Sequence, residues 1–392
     1  MKYGSNMVIT LKEELLHRNY EFPITTQKVF MAHAAASPLP RCVSSAMKAY
    51  LDHASSEGQW EFLYKDIEED TRRLAAQLLG ADSEEIAFVS STSMGLSLVA
   101  SGLSWKNDDN IVIARGDFPS NIYPWMNLKS KGVRIRFIPG SRDGAVTLND
   151  VKAQIDNNTR LVSLSSVNYA TGYKIDIPSI GRFLHDKGIL FCIDAIQSLG
   201  AIPIDTTYVD FLSAGAHKWL LGPLGIGILY VKKKDIGRLS PVLTGWKCVK
   251  SNKDYLNYNL DFLDSAQCLE PGGINITGII GLHAALELLL NAGIDIIDSR
   301  LRGFRKILIP ALMQKGYELI GSAADEQSSG ITAFYSPNLD MAILKQELDK
   351  SGFVVSLREI FGVGKCIRVS PHFYNLDDDI TSFVNKLPAC NL

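Results

Sequence analysis

Short uninterrupted apolar runs, each ending on small or polar residues, recur along most of the chain and alternate with amphipathic stretches. The runs Ile86–Val89, Ile111–Ile113, Val133–Ile138, Leu161–Leu164, Ile189–Ile193, Phe211–Leu212 and Ile226–Val231 predict strands buried on both faces, as in a mostly parallel sheet. Between them, Leu148–Ile155 and Ile177–Lys187 predict helices, the second closed by Gly188. This strand–helix alternation from Ile86 to Val231 is the α/β pattern. Upstream, Ala46, Tyr50, Phe62, Ile67, Leu74 and Leu78 recur near helical spacing over Pro40–Leu79, and Gly80 supplies the stop.

After an irregular, aromatic-bearing connection at 240–268, residues 269–293 turn into a long apolar helix. Helix Asp298–Gln314, strand Ile331–Tyr335, helix Met341–Ser351, strand Phe353–Leu357, strand Ile367–Val369 and helix Asp377–Leu387 follow. The expected organisation is an N-terminal arm (1–29) with a short helix at Ile9–Arg18, a large domain (30–268), and an interdomain helix with a small α/β domain (269–392).

Composition narrows the class. The 392 residues are 46% hydrophobic and 21% charged, which suits a globular protein with a large core. A net charge of −2 favours neither nucleic acid nor an anionic membrane as partner, and Lys232–Lys234 reads as a solvated turn. Six scattered cysteines without a C-x-x-C pair point away from a zinc site and from a disulfide framework. The early Glu and Arg residues do not suit a signal peptide, and no apolar run approaches membrane-spanning length. Cytoplasmic residence and no metal are the expectations.

Candidate chemistry sits where the strands end. Asp194 closes one apolar run, with Gln197 three residues on, and small residues after Phe211–Leu212 deliver His217 and Lys218. An amine can form a Schiff base with an aldehyde cofactor, and a carboxylate can hold a pyridinium nitrogen protonated. Taken singly, Asp194 reads as a cap for the next segment and Lys218 as a solvated charge. The Ser/Thr/Gly turn after Val89 opens a helix, and its free N–H groups suit a phosphate.

The combination Asp194, Gln197, His217, Lys218, Trp219, Gly222, Pro223 and Gly225 resembles the pyridoxal-phosphate (PLP) signature of fold-type-I enzymes, specifically the class V aminotransferase family. That resemblance covers nearly the whole chain after the N-terminal arm. It implies a large PLP-binding domain with a mostly parallel sheet, a smaller C-terminal domain and a homodimer. Lys218 would carry the cofactor and, once freed, take the α-proton of an amino acid. Asp194 would face the ring nitrogen and Gln197 the phenolic oxygen. Thr92, Ser93, Met94 and His217 would hold the phosphate, with Gly215 where some relatives place a serine.

Phe118 stands where some relatives stack a histidine on the ring. The run VNYATG resembles the kynureninase branch and makes Asn168, Tyr169 and Thr171 candidates for the phenolic oxygen or the substrate. Gly273 occupies the threonine position of the family's E-x-GTxN motif, leaving at most a backbone contact to the phosphate. Arg368 is the expected carboxylate clamp, with Arg358 second. His33, in a tightly packed loop at 32–40, is expected either to face substrate or to be structural. Cys366, two residues before Arg368, is badly placed for a persulfide-forming nucleophile.

Three reactions stay open: aminotransfer, Cβ–S or Cβ–Se lysis (selenocysteine lyase, cystine lyase or desulfurase-like), and epimerisation. A non-catalytic ligand-binding protein of this fold is the alternative outside enzymes. A dinucleotide loop at Gly222–Gly227 lacks the helix that should follow it.

Overall fold

A computed structural model describes residues 17–59, 66–251, 253, 254, 256, 258–322, 324–360 and 362–390. Strand β1 (Val29–Phe30) leads to helix α1 (Arg41–Ala54) and helix α2 (Ile67–Leu79), so the helical pattern of Pro40–Leu79 is two helices rather than one. Gly80 ends α2 in the left-handed region (φ +61°), a conformation that suits a residue without Cβ. Residues 9–16 of the expected first helix, and Phe62, lie outside the described residues; His17 and Arg18 are helical.

Then follow β2 (Ile86–Val89), α3 (Thr92–Gly102), β3 (Asn110–Ala114), the short α4 (Tyr123–Met126), β4 (Arg134–Ile138), α5 (Leu148–Gln154), β5 (Thr159–Ser165), α6 (Ile177–Asp186), β6 (Leu190–Asp194), β7 (Phe211–Gly215) and β8 (Gly227–Val231). The seven strands form one sheet in the order β2-β8-β7-β6-β5-β3-β4. Only β8 runs against the rest, antiparallel to both β7 and β2. Every residue of β2, β3, β6, β7 and β8 is buried, as expected of a sheet covered on both faces.

Beyond the sheet, α7 (Ile276–Ala292) packs on α1 and α2, with Asn275 capping it by accepting the Gly278 N–H at 2.9 Å. Helix α8 (Ile294–Gln314), β9 (Glu318–Ile320), β10 (Thr332–Tyr335), α9 (Met341–Lys350), β11 (Phe353–Val354), β12 (Ser356–Ile360), β13 (Gly364–Val369) and α10 (Asp377–Lys386) complete the chain. A small antiparallel sheet runs β12-β13-β10-β9.

The expected strand Phe353–Leu357 divides at Val355. Its first half pairs in parallel with β1 and its second with β13. Through that pairing, the Ala32–Ser370 bridge and the Arg18–Asp379 ion pair (2.6 Å), the N-terminal segment is fastened to the C-terminal unit. No single helix among the described residues is long and apolar enough to cross a membrane; α7 and α8 are apolar together but meet at 74°.

Candidate active site

Asp194 is the last residue of β6, in register with Ser165 of β5 and Ser213 of β7. Just past the end of β7 comes Lys218. These are carboxyl ends of parallel strands, where open α/β sheets bind ligands. The lysine's backbone is pinned from two sides. Ser37 donates its N–H to His217 O (2.8 Å) and its hydroxyl to Lys218 O, and Leu221, in the left-handed region at φ +57°, donates to Lys218 O (3.1 Å). The 32–40 loop therefore clamps the segment that presents the amine.

Lys218 is 8% exposed, and its Nζ makes no hydrogen bond or ion pair among the described residues; it stands 5.6 Å from the Phe118 ring centroid. Burial, with Arg368 and Arg358 nearby, brings its pKa down to about 8 against the opposing pull of Asp194. Asp194 is 2% exposed. One of its oxygens accepts the Ile196 N–H at 3.0 Å; the other has no partner among the described residues. Burial first, then the neighbouring charge of Asp117, pushes its pKa up to about 7. An amine and a carboxylate, buried yet incompletely bonded, are what a cationic ring with an aldehyde would complete.

The turn after β2 is built for an anion. Ser91 caps α3 by accepting the Met94 N–H (3.2 Å), while the N–H groups of Thr92 and Ser93 make no bond within the described chain. Thr92 is buried and accepts the Gly215 N–H at 2.9 Å, and Ser93 donates to the Ser120 hydroxyl at 2.8 Å. Met94 leaves its side chain 36% exposed and gives its N–H to the cap. Gly215 has a packing reason: a Cβ there would stand 3.2 Å from the His217 ring, which fills the space a serine would take. Gly273 is exposed with nothing within 4 Å of a Cβ, so packing does not demand glycine there.

Arg368 lies on β13 beside Ser356, and Arg358 on β12 beside Cys366. The two-residue repeat of strands puts all four on one face of the small sheet. Arg368 is 1% exposed and donates to Tyr169 O and to Ser356 Oγ (3.3 Å), while its Nε is left without a partner. Neither arginine pairs with a carboxylate among the described residues. Cys366 is buried, and burial pushes its thiol up to about 12, so the thiol stays protonated at neutral pH.

Other expected residues fall differently. His33 is fully buried, and both ring nitrogens are occupied, by Ser370 O (2.8 Å) and the Tyr374 hydroxyl (2.7 Å). Of its two readings, the structural one describes it. Gln197 donates to Ala34 O (3.0 Å) and accepts from Trp219 Nε1 (2.9 Å), which leaves one amide hydrogen for a ligand. The Tyr169 ring meets Phe118 edge-on at 5.3 Å.

Asn168 is an Asx turn, its Oδ1 accepting the Ala170 and Thr171 N–H groups. Its Nδ2 and the Thr171 hydroxyl face Gly144. Both residues line a cleft of about 690 Å³ under the loops that follow β3, β4 and β5. One residue escaped sequence reading: Asp117, directly before Phe118, whose carboxylate accepts four hydrogen bonds. An acidic residue three positions past the apolar run that ends at Ala114 was the signal available.

With this geometry in place, comparison with known proteins decides the family. The family model for class V aminotransferases matches residues 29–383. The chain belongs to the class V aminotransferase family. A probable cysteine desulfurase of Methanothermobacter thermautotrophicus is 28% identical, over 92% of this chain and 94% of its own. The solved apo cysteine desulfurase of Thermococcus onnurineus is 26% identical with a TM-score of 0.86, covering 97% of this chain and 98% of its own. The cystine C–S lyase C-DES, solved in one form with glycine covalently linked to PLP, shares the fold at 21% identity and a TM-score of 0.84, covering 94% of this chain and 98% of its own. Class V members are PLP-dependent enzymes of amino acids, and the unbonded amine, the half-satisfied carboxylate and the open helix terminus of this chain fit that cofactor.

Proposed function

We propose that the chain uses PLP on Lys218 to break the Cα–H bond of an α-amino acid held by Arg368, without storing sulfur on a cysteine of its own. The observation that carries this is the convergence of Lys218, Asp194 and Arg368, each buried and each left with unused bonding capacity. Bound PLP supplies an aldehyde carbon for amines and a ring that accepts electrons.

The protein's part follows from its residues. Lys218, its pKa brought down to about 8, keeps a fraction of neutral amine at neutral pH that can take the α-proton at Nζ. Asp194 would face the ring nitrogen and hold its proton. Phe118 would cover one ring face and exclude water; Thr92, Ser93 and His217 would hold the phosphate, and the spare hydrogen of Gln197 would go to the phenolic oxygen. Arg368 binds the substrate carboxylate and so orients the α-hydrogen toward Lys218, with Arg358 beside it. Cys366 has no part, being buried in the β12–β13 ladder with a protonated thiol.

Homodimerisation belongs to the same proposal. Leu224 and Trp246 expose 70% and 46% of their surfaces next to the active-site segment. Their neighbourhoods are joined by the Asn275–Gly225 bond and by Gly272 against Trp246, making an apolar surface that a second copy can cover. Cytoplasmic residence is likewise proposed.

The test is a panel of α-amino acids added to the PLP-loaded protein, with its visible spectrum followed and keto acid, alanine and sulfide assayed. The expected result is a spectral change with at least one of them that is absent in Lys218→Ala and retained in Cys366→Ala. Turnover that disappears with Cys366→Ala would contradict the proposal.

A further inference from the structure

Phe118 is 41% exposed, and its ring meets that of Tyr169 edge-on. A side chain with so little packing takes its position from its backbone. That backbone leaves β3 at Ala114, turns through Gly116 (φ +87°) and enters a single 3₁₀ turn at Pro119–Asn121.

One carboxylate holds the whole turn. Asp117 Oδ1 accepts the Ser165 hydroxyl (2.6 Å) and the Phe118 N–H (2.8 Å); Oδ2 accepts the Asn121 amide (2.9 Å) and the Ser165 N–H (3.2 Å). The loop is thereby tied to the end of β5, the strand whose Ser165 lies in register with Asp194. Below it, fully buried Asn121 accepts from Trp125 Nε1 (3.0 Å) and the Ser163 hydroxyl (2.6 Å). Above it, Ser120 accepts from Ser93 of the anion-binding turn. A hydrogen-bonded network anchored on buried Asn121 and Ser163 favours one geometry.

We propose that Asp117 is a positioning residue for the cofactor: through its bonds to Phe118, Asn121 and Ser165 it fixes the ring-covering face, and its charge adds to that of Asp194 at the ring nitrogen. This rests on PLP lying between Phe118, Asp194 and Lys218. The two carboxylates sense each other: after burial, the charge of Asp117 is the second cause of the raised pKa of Asp194. A cation at the ring nitrogen faces two carboxylates, which favours the protonated ring.

The experiment compares wild type, Asp117→Asn and Ser165→Ala as full-length protein stripped of cofactor and titrated with PLP. Affinity, the visible circular-dichroism band per bound PLP, and thermal midpoint are recorded. Asp117→Asn places an amide donor against the Asn121 and Ser165 donors. It is expected to weaken PLP binding by about tenfold, the loss of roughly one net hydrogen bond. It should also reduce the circular-dichroism band, because the ring loses its fixed orientation. Ser165→Ala keeps the charge and loses one bond, so it should shift both readouts in the same direction by less. The amino-acid KM, set by Arg368, should stay near wild type while kcat falls.

Wild-type affinity and band shape in Asp117→Asn overturn the proposal, as does a fall in thermal midpoint alone, which marks a merely structural role. If Asp117→Asn does not fold, an unchanged band in Ser165→Ala overturns it instead. Failure of the underlying reading looks different: wild type itself then shows no PLP-induced band, and the proposal falls with it.

Discussion

At the β2 edge of the large sheet, Arg72 is 2% exposed and forms a bidentate pair with Glu270 (2.7 and 3.2 Å), whose Oε1 also accepts the Phe88 N–H. At the strand-end pocket, Arg368 is as deeply buried and meets a backbone carbonyl and a serine hydroxyl, but no acid. Burying a charge without its counter-charge is costly. The Arg72 region completes its charges internally, and the pocket leaves Lys218, Asp194 and Arg368 incomplete. Depth of burial therefore does not separate Arg72 from Arg368; the internal carboxylate does.

Substitutions should divide along that line. The largest effect on activity is expected for Lys218→Ala, a loss of turnover by roughly 10⁴-fold or more, since both cofactor attachment and the proton-accepting amine disappear. The fold should not suffer. The lysine's pKa is lower folded than unfolded, so its charged form opposes folding below about pH 8, and that opposition fades as pH rises toward the unfolded value. Cofactor-free Lys218→Ala should accordingly melt at or above the wild-type midpoint at pH 7, and a clear drop would contradict the comparison.

Arg72→Met is expected to do the reverse. It strands Glu270 and should destabilise the fold by about 3–5 kcal/mol, read by denaturant titration, with turnover per folded molecule little changed.

Asp194→Asn sharpens the electrostatic side. PLP uptake by the cofactor-free protein should quicken as pH rises through about 8, where the Lys218 amine becomes neutral. Because Asp194 raises that pKa, its removal should move the midpoint to lower pH in stopped-flow absorbance. An unchanged midpoint would show that the two groups do not sense each other. The smallest effect is expected for Cys366→Ala, with turnover within about twofold of wild type, since its thiol is held protonated.

The sheet was legible because its strands are continuous apolar runs whose ends carry the chemistry; Asp194 and Lys218 could be placed from that pattern and the family resemblance together. What stayed hidden depended on contacts distant in sequence. Phe353–Leu357 reads as one strand, yet its halves serve different partners, one of them β1, more than three hundred residues earlier. His33 has the composition of a site residue, and only the fold shows both of its nitrogens occupied by Ser370 and Tyr374. Asn168 and Thr171 sit in the expected loop but turn toward Gly144. Asp117, after a glycine and before an aromatic, looks like turn chemistry until Ser165 and Asn121 are seen to converge on it.

The most direct test of the central contrast is the amino-acid-induced spectral change of PLP-loaded Arg368→Met, measured beside its thermal midpoint. A guanidinium kept for a substrate carboxylate predicts that the amino-acid concentration for half-maximal change rises by roughly 100-fold, about the worth of a charged hydrogen-bonded pair, while the midpoint holds or rises. A wild-type spectral response with a lowered midpoint would make Arg368 a structural residue and contradict the account.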